Sequence, residues 1–259
     1  MPRIITFCNQ KGGVGKSTCA MNSGAYLAAF GKRVLLVDID PQANATSGLG
    51  MNKQAFKYTM YDALVKDIDP RLIVKKTKIL GMDVLPSATD LAGATVELVP
   101  MQNREFVLRE VLKKIQREYD YMVIDSPPSL GLLTINALTA SHKVIIPVQC
   151  EYYALEGLAD LLKTITLVNK NLKTKIEVMG ALLTMYDRTS RLNRAVAKEI
   201  RRKFPGYVFD AVIPRNVKLA EAPSFGKSIL HYDPYSHGAK AYQRLAKEML
   251  ALEKISQKV

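Results

Sequence analysis

The ten residues NQKGGVGKST (9–18) restrict this chain more than any other stretch. They follow a short apolar run, IITFC (4–8), and open a helical pattern that continues to Phe30 and stops at Gly31, a residue suited to end a helix. A buried strand, a glycine-rich turn and a helix in that order make a phosphate cradle. Gly12, Gly13 and Gly15 let the backbone curl so that successive amides face one phosphate chain, with Val14 and Thr18 completing the loop. Lys16 then reaches the β and γ phosphates, and the Ser17 hydroxyl is placed to ligate Mg²⁺. The loop departs from the usual pattern at two places: Gln10 stands where a glycine is expected, and Lys11 adds a second lysine.

A phosphate loop of this kind belongs on a parallel sheet, and the rest of the chain carries the matching rhythm. The apolar runs 4–8, VLLVD (34–38), YMVID (121–125), VIIPV (144–148) and VMGALLTM (178–185) are short and rich in Val, Ile and Leu, as strands buried on both faces are. Between them, helical spacing links Leu108, Val111, Leu112, Ile115 and Tyr119, then Leu155, Leu158, Leu162 and Ile165, then Tyr242, Leu245, Met249 and Leu252. The pattern predicts an α/β fold with a mainly parallel, twisted sheet and helices on both faces. With 259 residues and no linker or repeat, a single domain over 1–259 is expected. Residues 51–77 show no clear periodicity.

Carboxylates at strand ends supply the remaining chemistry. Asp125 closes the run 121–125, where a Walker B carboxylate holds magnesium or its waters. Asp38 and Asp40 close the run 34–38 within DIDPQ, and one of them is placed to orient water against a γ-phosphate. Cys8, Cys19 and Cys150 lack any C-x-x-C spacing, so they are expected as buried free thiols, and His142, His231 and His237 as packing or surface residues. No run is apolar enough to span a membrane and no signal peptide is evident, which predicts a cytoplasmic protein.

The net charge of +13 is uneven: residues 1–185 carry a basic surplus of 5 and residues 186–259 a surplus of 8. That asymmetry points to an anionic partner. Wound as a helix, residues 191–204 gather Arg191, Arg194, Lys198, Arg201 and Arg202 on one face and Leu192, Val196, Ile200 and Phe204 on the other. Arg188, Arg215, Lys218 and Lys227 add to the charge nearby in sequence. The cationic face suits contacts to DNA phosphates without regard to sequence.

The stretches NQKGGVGKST, VLLVDIDPQANATSGLG, YMVIDSPPSLGLLTINAL, IPVQCEYYALEGL and IPRNVKLAEAPSFGKSILHYDP together resemble the deviant Walker ATPases of the ParA/MinD group. The likeness is greatest to the small chromosome-partitioning ParA proteins called Soj, in which Gln10 is usual. It implies a P-loop NTPase with a deviant Walker A loop, bound ATP and Mg²⁺, and a weak ATPase in which Lys11, Lys16, Asp40 and Asp125 act on the phosphates, the water and the cation. It further implies a homodimer sandwiching nucleotide, with Lys11 reaching the partner's phosphates and Gly12 at the crowded interface. Asp40 would activate water, Asp38 support the phosphate region, and Pro214 and Asn216 contact adenine. Double-stranded DNA and a ParB-type centromere-binding protein would be the partners, on the nucleoid, with chromosome or plasmid as cargo. No helix-turn-helix precedes the loop, so operator recognition is not expected. A MinD-like membrane-positioning role is the alternative; the tail KEMLALEKISQKV has Met249, Leu250, Leu252 and Ile255 but no aromatic anchor. An iron-sulfur reductase sharing the loop would need cluster cysteines in a spacing these three lack.

Overall fold

Runs of Val, Ile and Leu that alternate with amphipathic helices can bury both of their faces only in a sheet covered on two sides. The computed structural model describes residues 2–151 and 154–256, so Tyr152 and Tyr153 of IPVQCEYYALEGL lie outside the described residues. The side chain of Ile255 does too. Strands β1 (Arg3–Phe7), β2 (Val34–Asp38), β3 (Lys75–Lys76), β4 (Met82–Leu85), β5 (Tyr121–Asp125), β6 (Lys143–Gln149) and β7 (Glu177–Thr184) form one sheet in the order β3-β4-β2-β5-β1-β6-β7. Its pairs are parallel except β3 with β4.

Helices α1 (Lys16–Ala29), α2 (Asn44–Gly48), α3 (Met60–Val65), α4 (Pro70–Ile73), α5 (Leu91–Glu97), α6 (Val107–Lys113), α7 (Leu132–Ala140), α8 (Ala154–Leu172), α9 (Arg191–Lys203), α10 (Val217–Glu221), α11 (Ile229–Tyr232) and α12 (His237–Ser256) fall on both faces. One core joins Phe7, Leu36, Val123 and Ile145 to α1 and α12. The opposite face is covered over β2 and β5 by α3, α5, α6 and α7, and over β6 and β7 by α8 and α9. The apolar positions that define α12, Tyr242, Leu245 and Met249, are fully buried.

The expected strands are present within a residue or two of their sequence bounds, and helices cover the other expected patterns. The spacing that links Leu108 to Tyr119, however, is not one helix: α6 ends at Lys113, a short 3₁₀ turn (Gln116–Glu118) follows, and Tyr119 is extended. Gly31 follows Phe30, the residue that caps α1, with φ +77°, the left-handed turn that favours glycine. Segment 51–77 resolves into α3 and α4. A reciprocal Thr59/Asp62 capping box starts α3, and an Asp69 cap with Pro70 starts α4. The sequence reading missed β4: it is only four residues, MDVL, with Asp83 interrupting the apolar run. Leu192 also differs from expectation. It is 49% exposed at the first turn of α9, and the core instead takes Ala197 beside Ile200.

Candidate active site

The sheet register brings the expected residues together. Phe7 pairs with Asp125, and Asp125 pairs with Asp38, so β1, β5 and β2 end level with one another and deliver the loop and two aspartates to the same edge. This is the carboxyl edge of a parallel sheet, where α/β folds place their ligands. The loop is pinned from both sides of its entry. Asn9 donates to Pro147 O at 2.6 Å and accepts from Lys11 N at 3.0 Å, while Thr184 Oγ1 donates to Val14 O at 2.9 Å. Gly13 and Gly15 take φ of +76° and +89°, so this curl cannot be made by residues with a Cβ without strain.

A cavity of about 540 Å³ opens over the loop. Gly12, Gly13, Gly15, Lys16, Ser17 and Thr18 form its floor, with Asp40, Gln42 and Asn44 on one side and Met185, Pro223 and Ser224 on another. Lys16 is buried and its Nζ donates to Lys11 O at 3.0 Å. Burial lowers the Lys16 pKa, and the carboxylates of Asp125 and Asp40 pull it partly back.

Asp125 is fully buried and neither of its carboxylate oxygens has a hydrogen-bond partner. Burial, then the charge of Asp38, push its pKa well above the usual carboxylate range. The Ser17 hydroxyl stands near enough to favour the ionised form without completing a hydrogen bond of normal geometry. An orphaned carboxylate beside a hydroxyl is a hard-oxygen pair awaiting a cation. Asp38 is also fully buried, and burial raises its pKa to about 6 against hydrogen bonds from Thr46 and Asp40 that lower it. It faces those two residues rather than the cavity. Asp40 does line the cavity; its Oδ1 accepts from Gln42 N at 2.9 Å.

Lys11 leaves the cavity. Its side chain is 53% exposed and its Nζ meets a Glu151 carboxylate oxygen at 2.5 Å. A Cβ added to Gly12 would come no nearer than 3.9 Å to Pro128, so nothing within one subunit requires glycine there. Pro214 and Asn216 do not line the cavity, but Pro214 bridges to Tyr186, the neighbour of cavity-lining Met185, and Asn216 Oδ1 is buried without a donor.

The basic residues separate into two groups. Arg188, Arg191, Arg194, Lys198, Arg201, Arg202, Arg215 and Lys218 are all exposed. Arg201 nevertheless ties α9 to the following segment, donating to Phe209 O at 3.0 Å, and Arg202 and Lys218 pair with Glu199 at 2.8 Å and Glu221 at 3.0 Å. Arg194 donates to Arg188 O at 2.8 Å. The side chains of Arg191 and Lys198 make no ion pair or hydrogen bond with the described residues. Lys227 is exposed as well, beside a smaller cavity with Lys78 and His231.

Cys8, Cys19 and Cys150 are free and buried, burial pushing their thiols up to about 11, about 12 and about 11. His142 Nδ1 accepts from Ile4 N at 3.1 Å, a packing role, and His231 and His237 are exposed. Among the described residues no helix is long and apolar enough to cross a membrane.

The family model AAA_31, described as an AAA domain, matches residues 2–178. The sporulation initiation inhibitor protein Soj of Bacillus subtilis is 56% identical over 97% of this chain and 99% of its own length. The chromosome partitioning protein ParA of Myxococcus xanthus is 49% identical over 96% of this chain and 88% of its own. A crystal structure of cobyrinic acid a,c-diamide synthase from Mycobacterium smegmatis with bound ADP and magnesium superposes with a TM-score of 0.87 at 36% identity, covering 98% of this chain and 96% of that one.

Proposed function

Because this chain belongs to the AAA_31 family, among its Soj and ParA chromosome-partitioning ATPases, we propose that it binds Mg·ATP in the cavity over the phosphate loop, dimerises around it and hydrolyses it slowly. The observation that carries this reading is the level ending of β1, β5 and β2, which gathers Lys16, Ser17 and Asp40 at one cavity, with Asp125 buried beside Ser17, while Lys11 points out of it. Lys16 and the loop amides hold the phosphates. Ser17 and the orphaned Asp125 would hold a magnesium ion, which when bound would supply charge neutralisation at the phosphates. Among the described residues no group of three His, Cys, Asp or Glu side chains can hold a metal alone, which fits a cation retained partly by its nucleotide. Asp40 orients the attacking water. The segment of Pro214 and Asn216 lies beside the Met185 end of the cavity through the Tyr186–Pro214 bridge, which suits contacts to the base.

Lys11 serves the partner's site. In one subunit it rests on Glu151, turned away from the cavity that Gly12 beside it lines. The ATP-bound dimer then binds duplex DNA through the stripe on α9 and its neighbours, with Arg188, Arg191, Lys198 and Arg215, whose side chains make no ion pair or hydrogen bond with the described residues, free to meet phosphates. A ParB-type partner releases it by stimulating hydrolysis, and the protein works in the cytoplasm on the nucleoid. The MinD-like membrane reading is weaker because Tyr242, Leu245 and Met249 of α12 are committed to the core. Retention on duplex DNA with ATP, with ADP and without nucleotide tests the proposal: retention only with ATP is expected, and equal retention in all three would overturn it.

A further inference from the structure

Behind Asp40 lies a closed ring of buried polar groups that the roles above do not use. Thr46 and Ser87 are both fully buried and come from separate segments, α2 and the turn after β4. Thr46 donates to Asp38 Oδ2 from its hydroxyl at 2.7 Å and from its amide at 2.8 Å. The same hydroxyl accepts from Ser87 N at 3.1 Å. Ser87 Oγ in turn donates to the backbone carbonyl of Asp40 at 2.7 Å, and Asp38 Oδ1 closes the ring by accepting Asp40 N at 3.1 Å. Each hydroxyl proton therefore has one acceptor, and the peptide groups on both sides of the Asp40 Cα are held from outside the loop.

We infer that Thr46 and Ser87 are positioning residues for hydrolysis, fixing the Asp40 carboxylate at the cavity wall through the ring Asp38, Thr46, Ser87 and Asp40. The inference rests on the reading of Asp40 as the group that orients water. Its physical basis is that buried hydrogen bonds to a carboxylate are stronger than neutral ones, and that a satisfied buried network specifies one geometry. With Oδ1 occupied by Gln42 N and the backbone clamped, the remaining freedom of Oδ2 is small. The ring also gives β4 a part in the site: the strand carries Ser87 to Asp40, and Pro86 O accepts Met60 N at 2.8 Å to tie down α3.

Ser87→Ala and Thr46→Val each remove one hydroxyl with little change of shape. In single-turnover hydrolysis of labelled ATP, each is expected to lower the rate about ten- to a hundredfold, the scale set by small misplacements of a catalytic group. ATP affinity should stay within about twofold, since neither side chain reaches the phosphates, and Thr46→Ser should recover most of the rate. In an Asp40→Ala background neither substitution should lower the residual rate further, because the effect passes through Asp40. Parent-like rates in both single variants would overturn the inference, as would losses that add to Asp40→Ala or that track a fall in ATP affinity. Should Thr46→Val fail to fold, Ser87→Ala decides alone, because it strips no donor from a carboxylate. An Asp40→Ala protein hydrolysing at the parent rate would instead overturn the reading of Asp40 itself.

Discussion

Mixing two inactive variants, Lys11→Ala and Asp40→Ala, is expected to restore ATP hydrolysis. Asp40 lines the cavity of its own subunit, whereas Lys11 is turned away from that cavity onto Glu151. In a two-fold dimer each residue type meets the same surface of its partner, so Lys11 can complete the opposite site. The subunit lacking Lys11 keeps its Asp40 and borrows the lysine of its partner, so its site is whole. The other site lacks both groups. Random pairing makes about half of the dimers mixed, and one site in two of those is complete, giving about a quarter of parent activity per site. If Lys11 served its own subunit, both sites of the mixed dimer would be deficient and no activity would return. The assay is steady-state ATPase at saturating ATP on an equimolar mixture, with the mixed dimer counted separately by pull-down through a tag on one variant. A mixed dimer recovered in quantity but inactive would refute the cross-subunit role, and the measured fraction of mixed dimers corrects for any pairing defect of Lys11→Ala.

Replacing Arg191 and Lys198 together by Ala should flatten the salt dependence of duplex binding by about two units of log-log slope, equally for unrelated sequences, with ATP-dependent dimerisation intact; an unchanged slope would show the stripe to be solvated surface. Arg201→Ala should instead lower the melting temperature, because it strips the donor from Phe209 O, a loss of about 1–3 kcal/mol if that carbonyl stays dry; a melting curve superimposable on the parent would contradict this. The nucleotide- and metal-free protein should lose stability as pH rises. Asp38 moves from an ordinary 3.8 to about 6 in the folded state, so its proton is held more tightly there. Its contribution is complete below the unfolded value and lost through the folded one, on the order of 3 kcal/mol for that shift. Thermal unfolding of the protein and of Asp38→Asn, compared from about pH 4 to about pH 6, isolates the Asp38 contribution, and a melting temperature that rises with pH relative to the variant over that interval would refute it.

The loop and the central strands were legible because their signals are local: a glycine-rich turn with lysine and serine at fixed spacing, and apolar runs ending in aspartate. What reached beyond local pattern was not. The strand β4 is too short and too interrupted by Asp83 to register as a run, and without it Ser87 has no visible relation to Asp40. Thr46 lies within VLLVDIDPQANATSGLG, yet nothing in its spacing says that its hydroxyl turns inward to Asp38. Asn9, tied to Pro147 of β6, and Thr184, at the end of β7, likewise work through tertiary contacts that no period encodes. The helical wheel for 191–204 found the cationic face correctly but placed Leu192 inside, because a wheel assumes that the sheet runs alongside the whole helix. It also could not tell that Arg201 braces the fold while Arg191 and Lys198 stay free of such ties.

The carboxylate that holds Lys11 belongs to the residue after Cys150, and the carbonyl of Cys150 accepts from the Asn193 side chain at 2.9 Å, in the first turn of the basic helix α9. One ion pair and one amide thus join the loop lysine to the basic helix α9. A lysine drawn off Glu151 by a second subunit would alter the end of that chain as well as its beginning. Such a linkage has no preferred direction: whatever factor nucleotide adds to the affinity for DNA, DNA must add to the affinity for nucleotide, so the chromosome itself would act as a ligand that keeps the dimer closed.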